Sequence, residues 1–180
     1  MLSNVRPIAE REMLLSWAHA EAGNQLQNCV DAAVRRKALD GSTLGENDIA
    51  QLVRAAAFVR SPLLDFFRLH ETHWFTADFP AAELGAARVV NFFARDSPSR
   101  TLAELAQRRP EIGAFKFDAS ITKGRPIFVA PAASGPWCLM EGTHRCCSIL
   151  RENAGGAPSI NSVPIIAGIC AVAAEWPWWK

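Results

Sequence analysis

Trp137-Cys138-Leu139-Met140-Glu141-Gly142-Thr143-His144-Arg145-Cys146-Cys147-Ser148-Ile149-Leu150 is the stretch on which the fold turns. Trp137 to Met140 is an apolar run of strand length that ends at Gly142. From Thr143 to Glu152 the pattern becomes helical. A strand that passes straight into a helix across a glycine belongs to the α/β class, with α+β as the alternative. The same junction suits an anion. The first turn of a helix has unpaired N–H groups and the positive end of the dipole. Gly142 lets the backbone approach a ligand with no Cβ in the way. Thr143 can cap the helix and offer a hydroxyl, while His144 and Arg145 add side-chain donors. The plain alternative is an ordinary helix start with solvated His and Arg. Glu141 also repels phosphate unless a metal or a substrate proton intervenes.

Working outward, Pro126 to Ala130 (PIFVA) reads as a strand, antiparallel to Trp137–Met140 across the small-residue loop Ala132 to Pro136. Ser162 to Ala171 (SVPIIAGICA) reads as a last apolar strand. Upstream, Trp74-Phe75-Thr76 and Arg88 to Phe93 (RVVNFF) read as strands, and Asp96-Ser97-Pro98-Ser99 announces a helix through Arg109.

The first seventy residues read as helical. One apolar stripe starts at Ile8 and ends near Gly23, and a second helix spans Gln25 to Leu39. A third starts after Asn47 or Asp48, and a fourth at Ser61-Pro62. The expected organisation is a helical region, 1–70, followed by a mixed α/β domain, 71–180. The first part reads as scaffold packed on the second.

The order strand, Glu141-Gly142-Thr143-His144-Arg145, helix, apolar strand resembles the ParB/sulfiredoxin superfamily. Its members carry an acidic-or-Gly, Gly, x, His-or-Arg, Arg signature at this junction: Gly-Cys-His-Arg in sulfiredoxins, Gly-Glu-Arg-Arg in ParB partition proteins, Asp-Gly-His-Thr-Arg in free-serine kinases. Arg125-Pro126-Ile127-Phe128-Val129 matches the family strand before the signature, and Val163-Pro164-Ile165-Ile166 the one after it. The resemblance covers residues 74–170. It implies that His144 and Arg145 contact nucleotide phosphates, with Gly142 and Thr143 giving backbone approach. It adds Ser99, Arg100 and Thr101 as second-rank binding residues, against a plain N-cap. Glu83 sits where members have a turn after their first strand, and a surface role is the stronger reading. Thr143 stands where sulfiredoxins keep their nucleophilic cysteine, so sulfinic-acid repair is not expected. No helix-turn-helix module is evident, so specific DNA binding is not expected either.

The totals agree with an ordinary globular protein: 180 residues, 49% hydrophobic, 21% charged and a net charge of +1. That balance argues against a sequence-independent nucleic-acid binder. No apolar stretch approaches a membrane span, and the first twelve residues lack a signal-peptide core, so the expected location is cytoplasmic. Five cysteines with no C-x-x-C pair speak against disulfides or structural zinc, and Cys146 and Cys147 read as packing residues. His70, Glu71 and His73 look metal-like but fall at a helix-to-strand junction, and no metal site is expected. Trp176, Trp178 and Trp179 are expected to fold back over the core or to seal a dimer, so a homo-oligomer stays open.

The expected function is nucleotide-dependent phosphoryl transfer to a small molecule, or nucleotide hydrolysis. ATP or CTP with Mg²⁺ would be the cofactor, and Glu141 and His144 would be catalytic. The alternative is an adaptor, nucleotide-gated or purely structural, that binds a protein or DNA partner.

Overall fold

The computed structural model describes residues 1–90, 100–113, 124–155 and 160–179. Its centre is one mixed sheet of six strands: β1 (Ser3–Ile8), β2 (His73–Pro80), β3 (Arg88–Val89), β4 (Ile127–Ala130), β5 (Cys138–Glu141) and β6 (Ser162–Ile169). They lie in the order β1-β2-β6-β4-β5-β3. The β4–β6 and β3–β5 pairs are parallel and the other three are antiparallel, β4–β5 among them as expected. The chain therefore has the α/β architecture that the strand-to-helix junction implied.

Side-chain alternation along the central strands divides the core in two. Ile127 and Val129 of β4, Cys138 and Met140 of β5, and Ile166 of β6 join one apolar cluster. Phe128 and Ala130, Leu139, and Val163, Ile165 and Ala167 join the other. Helices α1 (Glu10–Glu21), α3 (Glu46–Val59) and α4 (Ser61–Leu69) cover the first face through Trp17, Leu52, Leu64 and Phe67. The shorter α2 (Ala32–Asp40) adds Val34 and Ala38 to it. Helices α5 (Leu102–Arg108) and α6 (Thr143–Ala154) cover the second through Leu102, Leu105, Cys146 and Ile149. With both faces closed, β4 is buried at every residue, so it reads as an unbroken apolar run.

Several sequence expectations shift. The first seventy residues are not all helical, because β1 pairs with β2 at the sheet edge. Its burial runs exposed nearly throughout, so no apolar alternation announced it. The second helix starts at Ala32 and not at Gln25. Leu26 and Val30 are buried from turns, and Gln51 on α3 fixes the helix start by donating to Asp31 Oδ2 at 2.9 Å. The third helix starts at Glu46. Asp48 does act at that terminus, from the third position, by accepting from Gly45 N at 3.0 Å. Of Arg88 to Phe93, Arg88–Val89 is strand, and the rest from residue 91 lies outside the described residues, as does the helix start expected at Asp96–Ser99. Trp176 folds back into the helical-face core, with its ring centroid 4.9 Å from that of Phe67, and Trp178 and Trp179 pack beside it. Among the described residues, no helix is long and apolar enough to cross a membrane.

Candidate functional site

The loop between β5 and α6 forms one wall of a cleft of about 340 Å³. Glu141, Gly142, Thr143, His144 and Arg145 all line it, so the five residues of the signature do converge. The opposite wall comes from the N-terminal helices: Ala20 and Glu21 at the end of α1, Asn24 and Gln25 just after it, and Arg60 between α3 and α4.

Two backbone features aim this loop. First, the β4–β5 register slips: Phe128 pairs with Leu139, but Ile127 pairs with Glu141. Met140 is the extra residue of a bulge. Strict alternation would send Glu141 to the face of Leu139. The bulge sends it instead to the face of Ile127, toward the helical layer. Second, Gly142 has φ +95°, and a Cβ there would lie 2.9 Å from the Pro126 Cβ. Only glycine fits this left-handed step. Gly142, rather than Thr143, is the N-cap of α6; Thr143 is its first residue and is buried.

The helix start keeps its donors. The first intrahelical bond runs from Cys146 N to Gly142 O, at 2.9 Å. The N–H groups of Thr143, His144 and Arg145 precede it and have no hydrogen-bond partner among the described residues. Arg145 is half-buried, and its guanidinium has no ion pair or hydrogen bond among the described residues. Burial pushes its pKa down, while Cys146, Glu141 and Glu21 pull it up. His144 is exposed, and its Nδ1 accepts from Gly113 N at 3.2 Å. A neutral ring therefore carries its proton on Nε2, which is left as a donor.

Glu141 is engaged on both oxygens. Oε1 accepts from Gly142 N at 2.9 Å, and Oε2 accepts from Trp17 Nε1 at 3.1 Å and Arg60 Nη2 at 3.1 Å. Arg60 Nη2 also donates to Glu21 Oε1 at 2.6 Å, and its guanidinium lies 5.0 Å from the centre of the Trp17 ring. Glu21 and Arg60 are 7% and 9% exposed. Burial pushes the Glu141 carboxyl above the usual carboxylate range, against the pull of Arg60, and the nearby Glu21 pushes it further. One guanidinium thus holds two largely buried carboxylates.

The other expected residues lie elsewhere. Thr101 is the N-cap of α5: its hydroxyl accepts from Glu104 N at 3.3 Å, and Glu104 returns the bond to Thr101 N. Arg100 is exposed, and its backbone N donates to the same Glu104 at 2.7 Å. Neither lines the cleft. Ser99 lies outside the described residues. Glu83 pairs with the N-terminal ammonium at 2.9 Å on the surface. His73 sits 3.4 Å from Glu71, and no group of three or more His, Cys, Asp or Glu among the described residues is placed to hold a metal. Cys146 and Cys147 are buried, and burial raises both thiols, Cys147 to about 11.

Trp17, Glu21 and Arg60 were not singled out as site residues in the sequence. Trp17 sat inside an apolar stripe, and Glu21 and Arg60 stand 39 positions apart. The one available signal was a charged residue at the end of each of two apolar helical patterns. Compared with known protein families, curated proteins and solved structures, the chain matches none.

Proposed function

We propose that this chain binds a phosphate-bearing small molecule, a nucleoside triphosphate such as ATP or CTP, at the cleft beside α6. The observation that carries the reading is Arg145: a half-buried guanidinium with no partner among the described residues, beside three unused helix N–H groups. Burial disfavours that charge, Glu141 and Glu21 oppose this effect without an ion pair among the described residues, and a phosphate would offset the rest of the cost. The resemblance to the ParB/sulfiredoxin superfamily supplies the nucleotide, and phosphoryl transfer to a small-molecule or protein acceptor, or hydrolysis, is the activity it suggests.

In this reading the α6 N–H groups and Arg145 hold the phosphate charge, and His144 Nε2–H donates to a phosphate oxygen. Glu141 has three donors on its carboxylate, which supports a positioning role over that of a base. The residues present do not fit a protein-held Mg²⁺, because both nearby carboxylates are bound to Arg60. The ion would arrive on the phosphates.

Replacing Arg145 with Ala should weaken binding of Mg²⁺-ATP or Mg²⁺-CTP by about tenfold or more, since a charge-assisted hydrogen bond contributes roughly 1.5–3 kcal/mol. Titration calorimetry checks this, and unchanged affinity in a folded variant overturns the reading. Product analysis on the same samples separates enzyme from adaptor: binding without phosphate or diphosphate release identifies an adaptor.

A further inference from the structure

We propose that Arg60, in the helical layer, is the positioning residue that holds the anion loop in its binding conformation. The inference rests on the reading of that loop as the phosphate site. Arg60 reaches the loop through a short chain of bonds: Glu21 to Arg60 at 2.6 Å, Arg60 to Glu141 at 3.1 Å, and Glu141 to Gly142 N at 2.9 Å. The last of these residues is the N-cap of α6. The bulge at Met140 is what brings Glu141 within reach. Trp17 fixes the same arrangement from the side, by donating to Glu141 and by lying against the guanidinium.

Charge gives the second half of the case. The groups facing the loop from each packed element are Glu21 on α1, Arg60 between α3 and α4, Glu141 at the end of β5, and His144 and Arg145 on α6. Without Arg60, two carboxylates face each other beside the place an anion must enter, and among the described residues that line the cleft only Arg145 is a cation to oppose them. Arg60 is also built as part of the cleft. It is 9% exposed, it lines the cavity, and its Nε is buried with no hydrogen-bond partner among the described residues. A buried donor of this kind ordinarily has one, from protein, water or ligand.

The test is titration calorimetry with Mg²⁺-ATP on the full chain, with near-ultraviolet circular dichroism to verify the fold. The proteins are wild type, Arg60→Met, Arg60→Lys, Glu21→Gln/Arg60→Met and Arg145→Ala. Each affinity is taken relative to wild type at the same pH, at about pH 7.5 and about pH 5, which brackets the approach to the carboxylate range. Arg60→Met should lose about tenfold or more at the higher pH. Part of that loss should return in Arg60→Lys, in the double variant, and in Arg60→Met at the lower pH, because each reduces the uncompensated negative charge. Arg145→Ala should show no such return. If Arg60→Met does not fold, the double variant carries the test, having lost one of the two carboxylates along with the cation. It should then fold and bind more weakly than wild type. Wild-type affinity in folded Arg60→Met, or in the double variant when the single one does not fold, overturns the role of Arg60 alone. So does a loss that neither Glu21→Gln nor low pH relieves. A wild type that binds no Mg²⁺-ATP overturns the phosphate site, and this role with it.

Discussion

The two faces of the sheet are closed by different chemistry. Under α5 and α6 the core is apolar, with Phe79 and Phe128 stacked at 5.0 Å and Trp137 edge-on to Phe79 at 5.9 Å. Under α1, α3 and α4 an equally apolar centre gives way at its rim to Glu21, Arg60 and Glu141. Glu21 and Arg60 are the buried charged residues of the described chain, and both belong to this side. Buried ion pairs contribute little net stability compared with apolar packing. The contrast places purely apolar packing under α5 and α6, and the buried charge on the side of α1, α3 and α4, where it faces the start of α6 across the cleft.

Four substitutions test that contrast, from the largest expected effect down. Phe128→Ala removes a fully buried ring from the apolar face and should cost about 3–5 kcal/mol. Denaturant unfolding measures the loss, and the surviving folded fraction should bind Mg²⁺-ATP as wild type does. A changed affinity would show that the two faces are not separable. Gly142→Ala sits where they meet. The φ of +95° and the contact with Pro126 should together cost roughly 1–3 kcal/mol, and here affinity should fall as well. Equal affinity in that variant would mean that the loop tolerates a different path.

The third test is the pH dependence of stability. Burial raises the Glu141 carboxyl in the folded state, so the folded protein binds its proton more tightly than the unfolded chain. The stabilisation from that proton is fully present below the unfolded pKa and is lost as pH rises through the folded one. Wild type should therefore gain stability relative to Glu141→Gln as pH falls toward the carboxylate range. One proton limits the slope to about 1.4 kcal/mol per pH unit. Thermal melts across that range check the sign, and a gap that closes instead would show that the hydrogen bonds to Glu141 outweigh its burial. The smallest effect is expected from Thr101→Ala. It removes the α5 cap and should cost about 1 kcal/mol by denaturant unfolding, with affinity unchanged. A loss of affinity would return Thr101 to the binding site.

Much of the architecture was legible because its signals are local. The apolar runs at Ile127–Ala130 and Ser162–Ile169 appear as strands, and the Thr143 helix begins where Gly142 breaks the pattern. The edge strand β1 was not legible, since both its faces are largely exposed and only pairing with β2 defines it. The α2 start was misplaced because Leu26 and Val30 keep helical spacing while packing from turns. In the candidate site, the α6 loop was readable as a motif, whereas Thr101 is a helix cap on another part of the surface.

Sequence alone determined which residues sit at the loop and that a strand passes into a helix there, because strand and helix patterning and helix-end chemistry depend on near neighbours. That only glycine fits at Gly142 follows from its φ and from the approach of Pro126. Tertiary structure decided what faces that loop. A one-residue bulge at Met140 turns Glu141 from the face of α6 to the face of α1 and α4. There Trp17, from one helix, and Arg60, from the junction of two others, meet it. Side-chain alternation predicts the opposite side, and a bulge is set by how two strands fit within a packed sheet rather than by the residues of either.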